Sequence, residues 1–307
     1  SPIGFHATNL DIPLCPALLL FGWLVSLSRA FAPGGRSGGG TARPSLTLPM
    51  ILAVIWAIHP VSTEAVSLVT YRTTLLSGLS VFALLSLVRP RPNGSGSLHP
   101  VTVALATVAF IMGLLSKDVT LVAPGLAFLV DLYGGRVRVR RLLSLYLPLT
   151  VAAIAWWILR STLTGPGVYT WFEGLTTFQA LLMIPRIFFL YLRLILIPHP
   201  LCPFYDWAIL GVPTSILEPD ILVGFLAFVA MVVGILLLRK RAPLASLGLS
   251  LYLLALLPVS HIVPFFDAAG DRFLYVPLAG PIVIVLGLVP LANGGLRRIL
   301  GVFGLIF

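Results

Sequence analysis

Asp220-Ile221-Leu222-Val223-Gly224-Phe225-Leu226-Ala227-Phe228-Val229-Ala230-Met231-Val232-Val233-Gly234-Ile235-Leu236-Leu237-Leu238-Arg239-Lys240-Arg241 decides the fold. Residues 221–238 form an uninterrupted uncharged run. At about 1.5 Å per residue such a run approaches the roughly 30 Å of a hydrocarbon core. One acid stands before it and three bases follow it. The rest of the chain repeats the theme. Of its 307 residues 58% are hydrophobic and only 10% charged, with a mean hydropathy of +1.05. Soluble domains carry roughly 25% charged residues, so the chain reads as an integral membrane protein. The short alternating segments of a transmembrane barrel are missing, and the class is all-α: a polytopic transmembrane helical bundle.

The net charge of +10 raises nucleic acid as a partner, and the placement of the charge argues against it. Fourteen of the 20 Lys and Arg residues fall in five short loops: Arg29/Arg36/Arg43, Arg89/Arg91, Arg136/Arg138/Arg140/Arg141, Arg239/Lys240/Arg241 and Arg297/Arg298. These loops hold no acid, whereas Glu64, Asp118, Glu173, Asp206, Glu218, Asp220, Asp267 and Asp271 lie elsewhere. Cytoplasmic loops of membrane proteins carry this basic excess. The expectation is therefore a bacterial inner-membrane protein with its basic loops in the cytoplasm and no nucleic-acid partner. Cys15 and Cys202 are too few for a disulfide framework and read as packed thiols. The chain starts without Met, 1–9 reads as a loop, and 299–307 reads as the start of a further helix, as expected of a portion of a longer protein.

With the basic loops on one side, the path follows as a single transmembrane domain of about nine membrane helices. These are 10–28, 46–58, 73–88, 100–115, 119–133, 142–159, 221–238, 244–258 and 273–291. The segment 160–220 resists this scheme, because 178–197 is apolar yet carries Pro185, Arg186 and Arg193. If it spanned, the charge bias of everything after it would invert. It is read instead as an interfacial or re-entrant helix on the outer face, its arginines snorkelling. Four loops then share the outer face, and with them come His6, His59, His199 and His261.

Ionisable groups beside hydrocarbon are costly and so mark candidate sites. His59-Pro60-Val61-Ser62-Thr63-Glu64, followed by Arg72, is one. It serves either as a helix turn capped by Ser62/Thr63 with Glu64 on the helix dipole, or as an anion site in which His59 and Arg72 reach a phosphate and Glu64 orients them. Lys117-Asp118 is either a solvated hairpin or a point charge for a lipid-linked phosphate. Asp271-Arg272 is either a self-neutralising headgroup anchor with Tyr275 in the aromatic belt, or a second phosphate ligand with Asp271 positioning it. Asp206 between Tyr205 and Trp207, together with His6, is a weaker acceptor or sugar contact. No metal-ligand spacing, Walker loop, dinucleotide fingerprint or nucleophile elbow is present.

Five stretches in order resemble one family: Pro2-Ile3-Gly4-Phe5-His6-Ala7-Thr8-Asn9-Leu10; His59 to Val66 with Arg72, Leu75 and Leu76; Leu115-Ser116-Lys117-Asp118 with Pro124 and Asp131; Tyr191-Leu192-Arg193 with Pro198 and Asp206; and Asp271-Arg272-Phe273-Leu274-Tyr275-Val276-Pro277 with Gly280. Together they are similar to the membrane domain of the transmembrane and tetratricopeptide-repeat-containing O-mannosyltransferases. The resemblance implies a GT-C glycosyltransferase fold that moves a sugar from a polyprenyl-phosphate donor to an acceptor, often a protein Ser/Thr hydroxyl, on the outer face. It implies Arg72, Lys117 and Arg272 at the donor phosphate, with His59, Glu64, Asp118, Asp271 and Tyr275 positioning it. The catalytic acid is expected in a loop upstream of Ser1, since Asp11 falls inside the next helix. Asp118 and Asp271 stand where the family has Glu, which keeps the charge and shortens the reach. A divalent cation is compatible with such chemistry, without a ligand motif for one. Two rivals stand beside it: a non-catalytic membrane subunit keeping the fold as a scaffold for other subunits, and an anionic-lipid transporter. The transporter would need midplane polar residues, which these helices almost lack.

Overall fold

The computed structural model describes residues 2–31, 45–90, 98–164, 174–262 and 267–291. Every regular element among them is helical. The first half comprises α1 (Pro2–Ala30), α2 (Thr47–Ile58), the short α3 (Thr63–Ser67), α4 (Arg72–Leu87), α5 (Pro100–Ser116) and α6 (Ala123–Tyr133). The second comprises α7 (Val139–Arg141), α8 (Leu147–Thr164), α9 (Thr177–Leu196), the short α10 (Trp207–Leu210), α11 (Pro219–Arg241), α12 (Pro243–Leu256) and α13 (Ala279–Leu288). α1 starts at Pro2, where the sequence suggests a loop. The 273–291 segment is no single helix: a 3-10 turn, Asp271–Leu274, and four turn residues precede α13. The expected helix 119–133 likewise opens as the 3-10 turn Asp118–Val122. Pro100, Pro219 and Pro243 each sit in a first helical turn, where the absent N–H costs nothing.

Among the described residues four helices are long and apolar enough to cross a membrane: Ile12–Ala30, Val139–Leu163, Thr177–Leu196 and Pro219–Arg241. Thr47–Ile58 with Pro60–Ser67 makes a fifth if this pair, bent by 48°, is one span. Pro100–Ser116, Pro243–Val259 and Ala279–Leu291 are shorter apolar helices. α11 has a window of mean hydropathy 3.1 and exposes Phe225, Leu226, Leu236 and Leu237. α8 exposes Val151, Ile154, Trp157 and Ile158. Helices apolar on their exposed faces are stable in lipid and not in water.

The consecutive pairs α4/α5, α11/α12 and α12/α13 pack antiparallel, and Trp23, Trp56, Phe82 and Phe110 are buried in the core. Trp56 meets Phe82 edge-on at 5.2 Å, and its Nε1 donates to the Tyr275 carbonyl at 3.1 Å. α12 and α13 approach backbone to backbone: a Cβ on Gly248 would stand 2.7 Å from the Gly280 carbonyl, and one on Gly280 would stand 2.8 Å from that of Gly248. Small residues permit such crossings where packing rather than the hydrophobic effect joins helices.

The alternation gives the bundle two ends. One collects the termini carrying Arg29, Arg89, Arg136–Arg141 and Arg239–Arg241. At its centre Asp131, fully buried, accepts from Arg141 Nη2 (2.8 Å) and Tyr146 Oη (2.6 Å), with Arg136 Nη2 at 3.3 Å. Arg141 also donates to the Val88 carbonyl at 3.2 Å, tying α4 to α6 and α7. Arg141 and Tyr146 are five residues apart, and residues 142–146 form a π turn, Leu142–Tyr146. Its i→i+5 register brings both side chains to one carboxylate, which an α-helical turn would not do.

The other end carries Glu64, Asp118, Glu218, Asp220, Asp267 and Asp271. α9 meets the length and composition of a span, yet its contacts set it against this end. Arg186, at mid-helix, donates to the Leu210 and Gly211 carbonyls (2.9 and 3.0 Å) and pairs with Glu218 and with Asp220 (2.8 Å) at the start of α11. The carbonyl of Ile195, near its C-terminus, meets His59 at the end of α2. Middle and end of α9 thus both meet residues at or next to helix termini, and the helix also packs on α11.

Candidate functional site

The site grows from the way α2 ends. His59 is extended (φ −60°, ψ 132°), and its Nδ1 accepts the Val61 N–H at 3.3 Å. With Nδ1 an acceptor, the neutral ring carries its proton on Nε2, which donates to the Ile195 carbonyl at 3.3 Å. His59 is therefore both the cap of the turn and the strap to α9. Ser62 and Thr63, the expected caps, do not perform this role: Ser62 makes no capping bond.

The turn delivers Glu64 to the centre. Its Oε2 accepts the Arg272 backbone N–H (2.7 Å) and its Oε1 accepts Arg272 Nη1 (2.6 Å). Arg272 Nη1 also reaches the Pro203 carbonyl (2.6 Å), and Nη2 reaches Asp267 (2.5 Å). The guanidinium lies over the rings of Tyr71 (4.4 Å) and Phe273 (4.6 Å). Asp271 faces the other way, accepting from Tyr205 Oη and the Cys202 N–H, both at 2.8 Å. Burial pushes the Asp271 carboxyl up to about 6. Asp271 and Arg272 thus do not neutralise each other; each holds a different neighbour. Nor is Tyr275 in an aromatic belt, since its ring is 1% exposed and packs on Trp56 at 4.8 Å.

Lys117 stands apart from this saturation. It caps α5 in an extended conformation, half-buried. Its Nζ donates to Thr74 Oγ1 (2.7 Å) and lies 5.0 Å from the Phe273 ring centre. Among the described residues it forms no ion pair. Burial, and next the Arg272 charge, push the ammonium down to about 8. Lys117, Arg272, Thr74, Ser77 and Tyr275 line a cavity of about 20 Å³, room for roughly one water.

Asp118, beside Lys117, pairs with Arg160 of α8. Arg72 opens α4 two residues before Thr74 and is half-buried. Asp206 caps α10, accepting from the Ile209 N–H at 3.2 Å. The side chain of His6 lies outside the described residues, as do Glu173, the 299–307 segment and five bases of the expected cytoplasmic loops, Arg36, Arg43, Arg91, Arg297 and Arg298. Cys15 is exposed rather than packed, and Cys202 is half-buried, its thiol 3.1 Å from the Phe204 carbonyl. A second, larger cavity of about 570 Å³ opens between α9, α11 and α12, lined by Phe188, Tyr191, Phe225, Leu254, Leu257 and Ile262.

No known family, characterised protein or solved structure matches this chain. The site must be read from its own chemistry.

Sequence reasoning singled out Glu64, Lys117, Asp271 and Arg272 and missed the residues that complete them: Thr74, Pro203, Tyr205 and Asp267. Thr74, Pro203 and Tyr205 contribute a hydroxyl or carbonyl from positions distant in sequence, which no local pattern marks, whereas Asp267 contributes a carboxylate five residues before Arg272. Arg186 was read as snorkelling. It is 6% exposed, and its signal was the acid pair Glu218 and Asp220 at the next helix start.

Proposed function

We propose that the chain is a membrane glycosyltransferase-like protein of GT-C architecture that engages a polyprenyl-phosphate sugar at the acid-bearing end of its bundle. The observation carrying this reading is Lys117: a half-buried ammonium that hydrogen-bonds one neutral hydroxyl, with no carboxylate in contact among the described residues and Asp267, Glu64 and Asp118 attracting it only from beyond ion-pair distance. A partly desolvated cation with no carboxylate in contact gains from an anion brought against it by a ligand. The apolar cavity between α9, α11 and α12 suits an isoprenoid tail, and the Arg272 guanidinium supplies a fixed positive wall behind Lys117. The bundle is read as about nine membrane passages in a bacterial inner membrane, the basic end cytoplasmic and α9 lying in the outer interface.

In the reaction an acceptor hydroxyl oxygen forms a bond to the anomeric carbon as the bond from that carbon to the phosphate oxygen breaks. The phosphate leaves with the electron pair, and positive groups beside it stabilise the charge it gains. The hydroxyl proton passes to a base, which the family resemblance expects to be a carboxylate. The test is binding of a labelled polyprenyl-phosphate sugar to the purified chain. Lys117→Met and Arg72→Ala should each weaken it, on the order of tenfold for one lost charge-assisted contact. Unchanged affinity in both variants would remove the assignment.

One observation favours a second reading, a non-catalytic scaffold retaining the fold. Arg272 spends its contacts on Glu64, Asp267 and Pro203, and the cavity beside it holds only about 20 Å³. On that reading the labelled lipid does not bind at all, and the chain instead co-purifies with other membrane subunits.

A further inference from the structure

The opposite, basic end carries a second candidate site. α1 and α4 run side by side there, joined by the Ser86 hydroxyl donating to the Leu19 carbonyl at 3.1 Å. Both helices end at this side, α1 with Arg29 in its last turn and α4 two residues before Arg89. Between them and Leu46, which precedes α2, opens a cleft of about 310 Å³. Gly22 makes it possible: a Cβ built there meets nothing within 4 Å.

The cleft has two chemistries. Phe21, Val25 and Leu46 give it an apolar wall, while Arg29 and Arg89 line its polar side. Both arginines are exposed, and neither has a hydrogen bond or ion pair among the described residues. The two carboxyl-terminal helix ends, with their partial negative charge, favour cations here. Two arginine forks converging from different helices suit the oxygens of a phosphate. The apolar wall would be wasted on a free ion and fits an attached hydrocarbon chain. Basic pockets between membrane helices take anionic lipid headgroups in this way.

We propose that this cleft binds an anionic membrane phospholipid, Arg29 and Arg89 holding the phosphodiester and Phe21 and Val25 the start of an acyl chain. The site is separate from the one at the acid-bearing end and stands or falls without it.

The test uses the full chain in neutral detergent micelles, titrated with dioleoylphosphatidylglycerol, dioleoylphosphatidylcholine and inorganic phosphate, with bound lipid counted by native mass spectrometry. The anionic lipid should bind, the zwitterionic lipid at least about tenfold more weakly, and phosphate without measurable retention. The double variant Arg29→Gln/Arg89→Gln should lose roughly thirtyfold, the loss expected for two surface arginines. Gly22→Leu grows into open space and should fold normally yet exclude the lipid, which keeps the test decisive if the double variant fails to fold. The exposed pair Arg138→Gln/Arg140→Gln should leave binding unchanged. Equal binding of the two lipids, full retention in Gly22→Leu, equal loss in the Arg138/Arg140 variant, or phosphate binding as well as the lipid does (an ion site only) would each overturn the proposal.

Discussion

The two ends of the bundle solve the same problem differently. At the basic end, Asp131 is buried among Arg141, Arg136 and Tyr146, and the excess guanidinium capacity goes to the Val88 carbonyl. At the acid-bearing end, Glu64 and Asp267 both pair with Arg272, and Asp271 is held by neutral donors, while Lys117 hydrogen-bonds only Thr74 among the described residues and feels Asp267, Glu64 and Asp118 from beyond contact. In the first network every charged group touches an opposite charge; in the second Lys117 touches none. Buried charge in closed networks is ordinary architecture, because a partner left behind is costly. An ammonium at a helix end with no carboxylate in contact is where a ligand's charge would be welcome.

Breaking the closed network should have the largest effect. Asp131→Ala leaves Arg141 buried without its carboxylate and should cost about 3–5 kcal/mol in detergent unfolding, whereas Asp131→Leu with Arg141→Met should recover most of it. The open end responds to pH instead. The Lys117 ammonium titrates near 8 folded, against 10.5 as its ordinary value. Between those values the unfolded chain keeps a proton that the folded chain has shed. Stability should therefore rise as pH climbs from 8 towards 10.5, by at most about 3 kcal/mol. In Lys117→Met that rise should vanish, with stability at pH 7 equal or greater. Buried tyrosines act in the opposite direction above pH 10, so the difference between variant and parent is the quantity to follow.

Glu64→Gln should cost about 2 kcal/mol, less than Asp131→Ala, because Asp267 and Pro203 still hold Arg272. Smallest is Tyr205→Phe, which removes one of two donors to Asp271 and should cost about 1 kcal/mol in the same unfolding measurement. If Glu64→Gln proved as costly as Asp131→Ala, the two ends would be equally dependent on single carboxylates and the contrast would lose its meaning.

The helical membrane class and the segregation of charge were legible because both follow from one-dimensional pattern: apolar run length and the sign of the charges at its ends. Helix interruptions were not. The 3-10 turn at Asp271–Leu274 and the π turn at Leu142–Tyr146 exist to aim side chains at partners far along the chain. His-Pro-Val shows the limit well. It occurs at His59 and again at His99, and both histidines cap the following turn by accepting a valine N–H at 3.3 Å. Only His59 is buried and strapped to α9 through Ile195. The local cap is written in the tripeptide; the tertiary partner is not. For the same reason the cluster members with unusual charge were found and their hydroxyl and carbonyl partners were missed.

The chain has two lysines, Lys117 and Lys240, so lysine labelled with ¹³C at Cε yields two resonances, assigned by Lys117→Met. That NMR titration addresses this ammonium directly. The Lys117 resonance should titrate near pH 8 and move to higher pH on adding a polyprenyl phosphate, since an anion favours the charged form. A midpoint near the ordinary 10.5, or one near 8 that the lipid phosphate leaves unmoved, would contradict the account.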